Sequence, residues 1–182
     1  MSVLFVARQR YHPEDVQPNI VVPYASIYGT ASVLDTVKLS LGVQGLKPRL
    51  IKMDHDFAYD QLFRALWADG YAFVLIEHDI VAWPGAVQQI WSCDHAWCGC
   101  PYYVFGELRS YLGCTKFDPR RLGSCPVSGE LKNWQLLDQI IERELITRQY
   151  QKHLHQPAVT HLNFAHVRQT SAIVEHPAFW KD

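Results

Sequence analysis

Glu77, His78 and Asp79 follow directly on Tyr71–Ile76, a nearly unbroken apolar run. Two carboxylates one position apart can both approach a hard divalent cation, directly or through water. A cation held there would neutralise phosphate oxygens and stabilise a departing nucleotide diphosphate. The plainer alternative is that both acids solvate the end of a strand. A second group, Cys93-Asp94-His95-Ala96-Trp97-Cys98-Gly99-Cys100, holds three thiols and an imidazole. Cys93, His95, Cys98 and Cys100 could close a tetrahedral zinc site. Against that, the spacing is not the paired C-x-x-C pattern. On a strand, Cys98 and Cys100 would share one face as small core residues. Four of the nine histidines, His153, His155, His161 and His166, crowd into the C-terminal stretch.

These groups need elements to hold them. Val3–Ala7 reads as a strand, and Ile20–Tyr24 as another that should stop near Pro23. Ser32 is placed to cap a helix whose Val33, Val37 and Leu41 recur every four residues, with Gly42 and Gly45 ending it. Arg49–Met53 makes the next strand and leaves Asp54 at its carboxyl end. Leu62, Phe63, Leu66 and Trp67 share one face of a helix that stops at Gly70. Tyr71–Ile76 lacks the alternation of a half-exposed strand, so it should be buried on both faces of a parallel sheet. Pro84 should open a helix carrying Val87, Ile90 and Trp91. Cys93–Cys125 reads as irregular. Leu137, Ile140, Ile141 and Leu145 mark a helix from Trp134 to about Arg148, and short strands are expected at Ala158–Leu162 and Ala172–Val174.

Alternating strands and helices predict one α/β domain over residues 1–182, with a mostly parallel central sheet and helices on both faces. Ligands of such sheets bind outside the carboxyl ends of the strands, which is where Glu77 and Asp79 fall. Composition agrees: 48% of the 182 residues are hydrophobic and 19% charged, which excludes a disordered chain. Seventeen basic against eighteen acidic residues give a net charge of -1, which excludes a strongly basic coat for a nucleic-acid backbone. The apolar runs fall far below the ~20 residues of a membrane span. The opening Met1–Ala7 is short for a secretory signal and lacks a positive start, so a cytoplasmic protein is expected. Its five cysteines then suit free thiols or a metal better than a disulfide framework.

The run Phe63–Ile80 followed by Pro84-Gly85-Ala86-Val87 resembles the core of GT-A glycosyltransferases, of the family 2 kind. There a helix precedes a hydrophobic strand ending in acid-x-acid, and a proline-started helix follows. Ile20–Tyr24 is similar to that family's opening nucleotide-binding strand, and the resemblance runs from Ile20 to Gln89. The chain departs from the pattern in carrying Glu77 as the first acid and in being short. The resemblance implies a GT-A-like, Rossmann-related fold, a nucleotide-sugar donor, and Mn²⁺ or Mg²⁺ as cofactor. It also implies that Glu77 and Asp79 hold the cation and that a late histidine completes the site. His161 is preferred to His155 and His166 for that place. Tyr24 and Asp54, with Glu77, would serve the donor. Asp138 would be the general base of an inverting enzyme, with Glu130 a weaker choice. Trp97, Tyr102, Tyr103, Phe105 and Tyr111 could form an aromatic wall for an acceptor. The acceptor could be a small molecule, a glycan, a protein or a modified nucleic-acid base. Two other readings stand beside this one. One is a metal-dependent hydrolase built on the C-terminal histidines. The other is a non-catalytic, zinc-stabilised interaction domain.

Overall fold

The structure, a computed structural model, describes residues 17–25, 30–54, 57–104, 106–128 and 136–162. The strands expected at Val3–Ala7 and Ala172–Val174 lie outside the described residues, as do Phe105, Glu130, Trp134 and His166. The chain runs β1 (Ile20–Ala25), α1 (Thr30–Gly42), β2 (Arg49–Met53), α2 (Ala58–Ala68), β3 (Phe73–Ile76), β4 (Ile80–Ala82) and α3 (Ala86–Trp91). It continues through β5 (Trp97–Gly99), β6 (Tyr102–Val104), β7 (Glu107–Arg109), β8 (Cys114–Phe117) and α4 (Pro119–Leu122). It closes with α5 (Leu137–Thr147), β9 (His153–Leu154) and β10 (Val159–His161).

Six strands form the central sheet in the order β2-β1-β3-β8-β5-β9. The pairs β1–β2, β1–β3 and β5–β9 are parallel, while β3–β8 and β5–β8 are antiparallel. The sheet is thus mostly parallel, with β3 in its interior as the apolar run requires. All four residues of β3 are buried. Their alternation assigns them to two faces. Val74 and Ile76 pack with Val33, Val37 and Leu41 of α1 and Val87 and Ile90 of α3. Phe73 and Leu75 pack on the other face with Phe63, Leu66 and Trp67 of α2 and Leu137, Ile141 and Leu145 of α5. Helices cover both sides because their apolar positions recur at three and four residues and make one stripe each.

The boundaries shift for local reasons. Helix α1 already begins at Thr30, before the expected cap at Ser32. Pro84 does not start α3 directly, because Gly85 follows it at φ 83°, and the helix opens at Ala86. The stretch read as irregular, Cys93–Cys125, holds β5 to β8 and α4. Three of those strands have only three residues, too few for a periodic signal.

The α2 face of the core is an aromatic layer. The Phe117 ring meets Phe63 at 5.3 Å edge-on, Phe73 at 5.4 Å and Trp67 at 6.0 Å. We therefore expect Phe117→Ala to cost ~3–5 kcal/mol in urea unfolding. Leu108→Ala, at a position 51% exposed, should stay within about 0.5 kcal/mol of the parent. Equal losses in the two variants would contradict this placement of the core.

Candidate active site

Parallel strands β1, β2 and β3 end on the same edge of the sheet, with Val21 level with Leu75 and Ala25 level with Met53. Tyr24 lies near the end of β1, half-buried against the α1 side of the core. Asp54 is exposed just past β2, and Glu77 follows the last residue of β3. After Glu77 the chain turns tightly, the Ile80 N–H donating to the Glu77 carbonyl at 3.0 Å, and enters β4. Strand β10 pairs antiparallel with β4 and sets His161 opposite Ile80. One residue further, the Leu162 N–H donates to the Asp79 carbonyl at 2.7 Å. This backbone pairing brings His161 Nε2 to 3.3 Å from Asp79 Oδ2.

The imidazole of His161 is held from its flat side. Its ring stacks on Tyr102, with centroids 5.5 Å apart and planes inclined by 2°. Gly113 makes that position possible, because a Cβ there would fall 2.6–2.7 Å from Tyr102 ring atoms. The same glycine's carbonyl accepts from the Glu77 N–H at 3.0 Å. Gly113 thus positions both the ring that backs His161 and the main chain that starts the acid triplet.

Electrostatics concentrate on Glu77. Tyr59, from the first turn of α2, donates its hydroxyl to Glu77 Oε1 at 3.2 Å. Burial, then the neighbouring Asp79 charge, pushes the Glu77 carboxyl up to about 7. Asp138 adds a smaller push, and the Tyr59 hydrogen bond and His161 oppose it. Tyr59 and Tyr102 are both raised, first by burial and next by the Glu77 charge. Asp138, in the first turn of α5, is raised by burial, against the pull of the Gln139 N–H that donates to its Oδ1 at 2.8 Å. Burial also lowers His78, against the attraction of Asp79.

Of the expected site residues, Glu77, Asp79 and His161 therefore come together, and the charge of Asp138 bears on Glu77. Tyr24 and Asp54 sit on the same edge, one and two strands away. Asp79 and His161 offer a carboxylate oxygen and an imidazole nitrogen to one point, a donor pair that suits a divalent ion such as Mn²⁺. Glu77, Asp79 and His161 do not converge as a set of three within 4.8 Å. Glu77 instead engages Tyr59. Tyr59, Tyr102 and Gly113 were not singled out for the cation site by sequence reasoning. Tyr59 stands four residues before Phe63 and reads as part of the α2 core stripe, which it also is. The expected aromatic wall is not a single surface: Trp97 and Tyr102 are buried in the cores on opposite faces, and Tyr103 is exposed. The zinc set Cys93, His95, Cys98 and Cys100 does not form either. Cys100 engages Cys114 through its thiol, and Cys98 Sγ faces the Ile90 carbonyl at 3.4 Å.

No protein-family profile and no curated protein matches the chain. Among solved structures it is similar to the apo-form glycosyltransferase GlyE of Streptococcus pneumoniae, at 11% identity and a TM-score of 0.48. That superposition covers 81% of this chain and 55% of the other, so the chain spans about half the length of GlyE. Among the described residues no helix is long and apolar enough to cross a membrane.

Two outcomes follow from this geometry. Folded Glu77 keeps its proton to about 7, whereas the unfolded chain releases it near 4.5. The unfolded state binds fewer protons in that window, so the Glu77 contribution makes stability fall as pH rises from about 4.5 to 7. Glu77→Gln should gain on the parent across that window, by on the order of 3 kcal/mol at its upper end, in denaturant unfolding without added metal. A difference that stays flat with pH would contradict the assignment. Gly113→Ala should cost ~1–3 kcal/mol by overpacking against Tyr102. It should also move the His161 imidazole proton resonances, and an unmoved His161 would contradict the stacking role.

Proposed function

We propose that this chain is a metal-dependent glycosyltransferase that takes a sugar from a nucleotide-sugar donor. The observation that carries the reading is the meeting of Asp79 and His161 beside Glu77, at the carboxyl edge of the parallel strands. Ligands of open α/β sheets bind at that edge. A pair of nearby carboxylates there repels a diphosphate unless a cation lies between them. Asp79 and His161 would hold Mn²⁺ or Mg²⁺, with Glu77 supplying further negative charge. The cation, when bound, neutralises charge that builds on the leaving diphosphate.

The chain's own residues do the rest. Tyr24 offers a ring face, and Asp54 an exposed carboxylate, to the nucleoside at the ends of β1 and β2. Tyr59 holds the Glu77 carboxylate by its hydroxyl and fixes where its charge sits. Tyr102 limits the tilt of the His161 ring, so that Nε2 keeps its aim at Asp79. Asp138 would accept the proton of an acceptor hydroxyl, and its burial raises its basicity in the direction a general base needs.

Titration with UDP, GDP and CDP, with and without Mn²⁺, tests the reading by calorimetry. At least one diphosphate should bind about tenfold or more tightly with Mn²⁺, a gain of ~1.4 kcal/mol or more. Asp79→Ala should abolish the gain while its unfolding transition persists. Asp138→Asn should keep the gain, because Asp138 is assigned to the acceptor. Affinities that are equal with and without the metal would overturn the proposal.

A further inference from the structure

A second group of metal-ligating atoms lies at the far edge of the sheet, away from Asp79. Cys93 and His95 are in the turn between α3 and β5, and His153 begins the edge strand β9. Cys93 Sγ stands 3.5 Å from His95 Nδ1 and 3.6 Å from His153 Nδ1, and the two nitrogens are 3.1 Å apart. Zinc bonds of ~2.3 Å to sulfur and ~2.0–2.1 Å to nitrogen give tetrahedral edges of about 3.6 Å for S···N and about 3.3 Å for N···N. The observed triangle is close to those dimensions.

Hydrogen bonding alone does not account for the triangle. A neutral imidazole nitrogen either donates or accepts, never both, and a thiol carries one proton. Three mutual contacts therefore cannot all be linear hydrogen bonds. A cation at the centre takes a lone pair from each atom. The His95 backbone N–H also points at Cys93 Sγ at 3.5 Å, an arrangement that supports a thiolate. The candidates for the fourth position converge less well: His155 shares a 4.8 Å group with Cys93 and Cys98, but not with His95 and His153. The His155 ring stacks on His153 at 4.7 Å, and a His155 nitrogen lies within 4.8 Å of the Cys93 and Cys98 sulfurs. His155 Nε2 is buried and has no hydrogen-bond partner among the described residues. Cys98, the other candidate, sits fully buried with its sulfur on the Ile90 carbonyl.

We propose that Cys93, His95 and His153 form the preformed face of a structural zinc site, and that the His155 ring moves in to supply the fourth ligand. Binding exchanges the Cys93 thiol proton for the metal, which leaves a thiolate and three neutral imidazoles around one ion. The site fastens β9, a strand of only two residues, to the turn that starts β5. The segment leaving β9 leads directly into β10, which carries His161. The zinc is thus a staple at the base of the segment that completes the first site, and the proposal stands whether or not that first site transfers sugars.

The full chain, purified reduced and loaded with Zn²⁺ or Co²⁺, gives the test. After dialysis it should retain one zinc per chain. The cobalt form should show a thiolate-to-cobalt charge-transfer band and the visible bands of a tetrahedral ion. Cys93→Ser should abolish the charge-transfer band. His95→Ala, which removes an exposed ligand without touching the core, should lower zinc affinity at least tenfold while its circular dichroism is kept. His155→Ala should weaken affinity likewise, and Cys98→Ala should not. A reduced wild-type protein that retains no zinc, or His95→Ala and Cys93→Ser variants that retain it fully, would overturn the site. Unchanged affinity in His155→Ala with loss in Cys98→Ala would overturn the fourth ligand.

Discussion

The pairing of β10 with β4 is the constraint on which the candidate active site depends. Three backbone positions, Val159 to His161, lie along the strand that follows the acid triplet and fix the histidine beside Asp79. An isolated ladder of three residues would not persist in water. It persists here because Ile80, Val81, Ala82 and Val159 are buried against α1 and the adjoining sheet. The Trp83 side chain adds a second clasp, its Nε1 donating to the Thr160 hydroxyl at 2.9 Å. Hydrophobic burial thus supplies the free energy, and backbone register supplies the aim. A slip of one residue would turn His161 to the other face and remove it from Asp79.

Charge is the second organising force. Glu77, Asp79 and Asp138 gather negative charge in a partly desolvated place, and Glu77 responds by holding its proton towards neutrality. Such an arrangement costs stability unless a proton or a cation compensates it. The hydroxyl of Tyr59 and the imidazole of His161 offset part of the cost, and both pull the Glu77 carboxyl back down. The proposed donor chemistry uses this imbalance, since a divalent ion neutralises the protein's carboxylates and the donor's phosphates together. The Cys93 group rests on different physics. There what is unusual is the geometry, three ligand atoms set at the edges of a tetrahedron.

Much of the scaffold was legible in the chain. Tyr71–Ile76 reads as an interior strand, and its last four residues are one because they satisfy two faces at once, while Tyr71 precedes the strand and is exposed. Leu137, Ile141 and Leu145 marked the buried stripe of α5 by their spacing of four. His161 was legible only as a histidine in a β-like run. Its place beside Asp79 comes from a long-range pairing that no local pattern encodes. The second metal-ligating set was half legible. Cys93 and His95 are neighbours in sequence, but His153 reaches them through the parallel β5–β9 pair, and both strands are too short to signal themselves. Cys98 and Cys100 are the small core residues that a strand at that place implies, both buried on the α1 face. Tyr102 and Gly113 act through shape, a ring filling space that a missing Cβ leaves. Shape complementarity of that kind appears only when the two segments are brought together.

The central claim is that His161 and Asp79 share one cation in the presence of a nucleoside diphosphate. Electron spin-echo spectroscopy of Mn²⁺ bound to the protein with UDP, GDP or CDP addresses it directly, because a coordinated imidazole nitrogen modulates the echo. The account predicts a nitrogen coupling in the wild-type complex that is lost in His161→Ala and retained in His153→Ala. A bound Mn²⁺ without nitrogen coupling, or a coupling that survives His161→Ala, would contradict it.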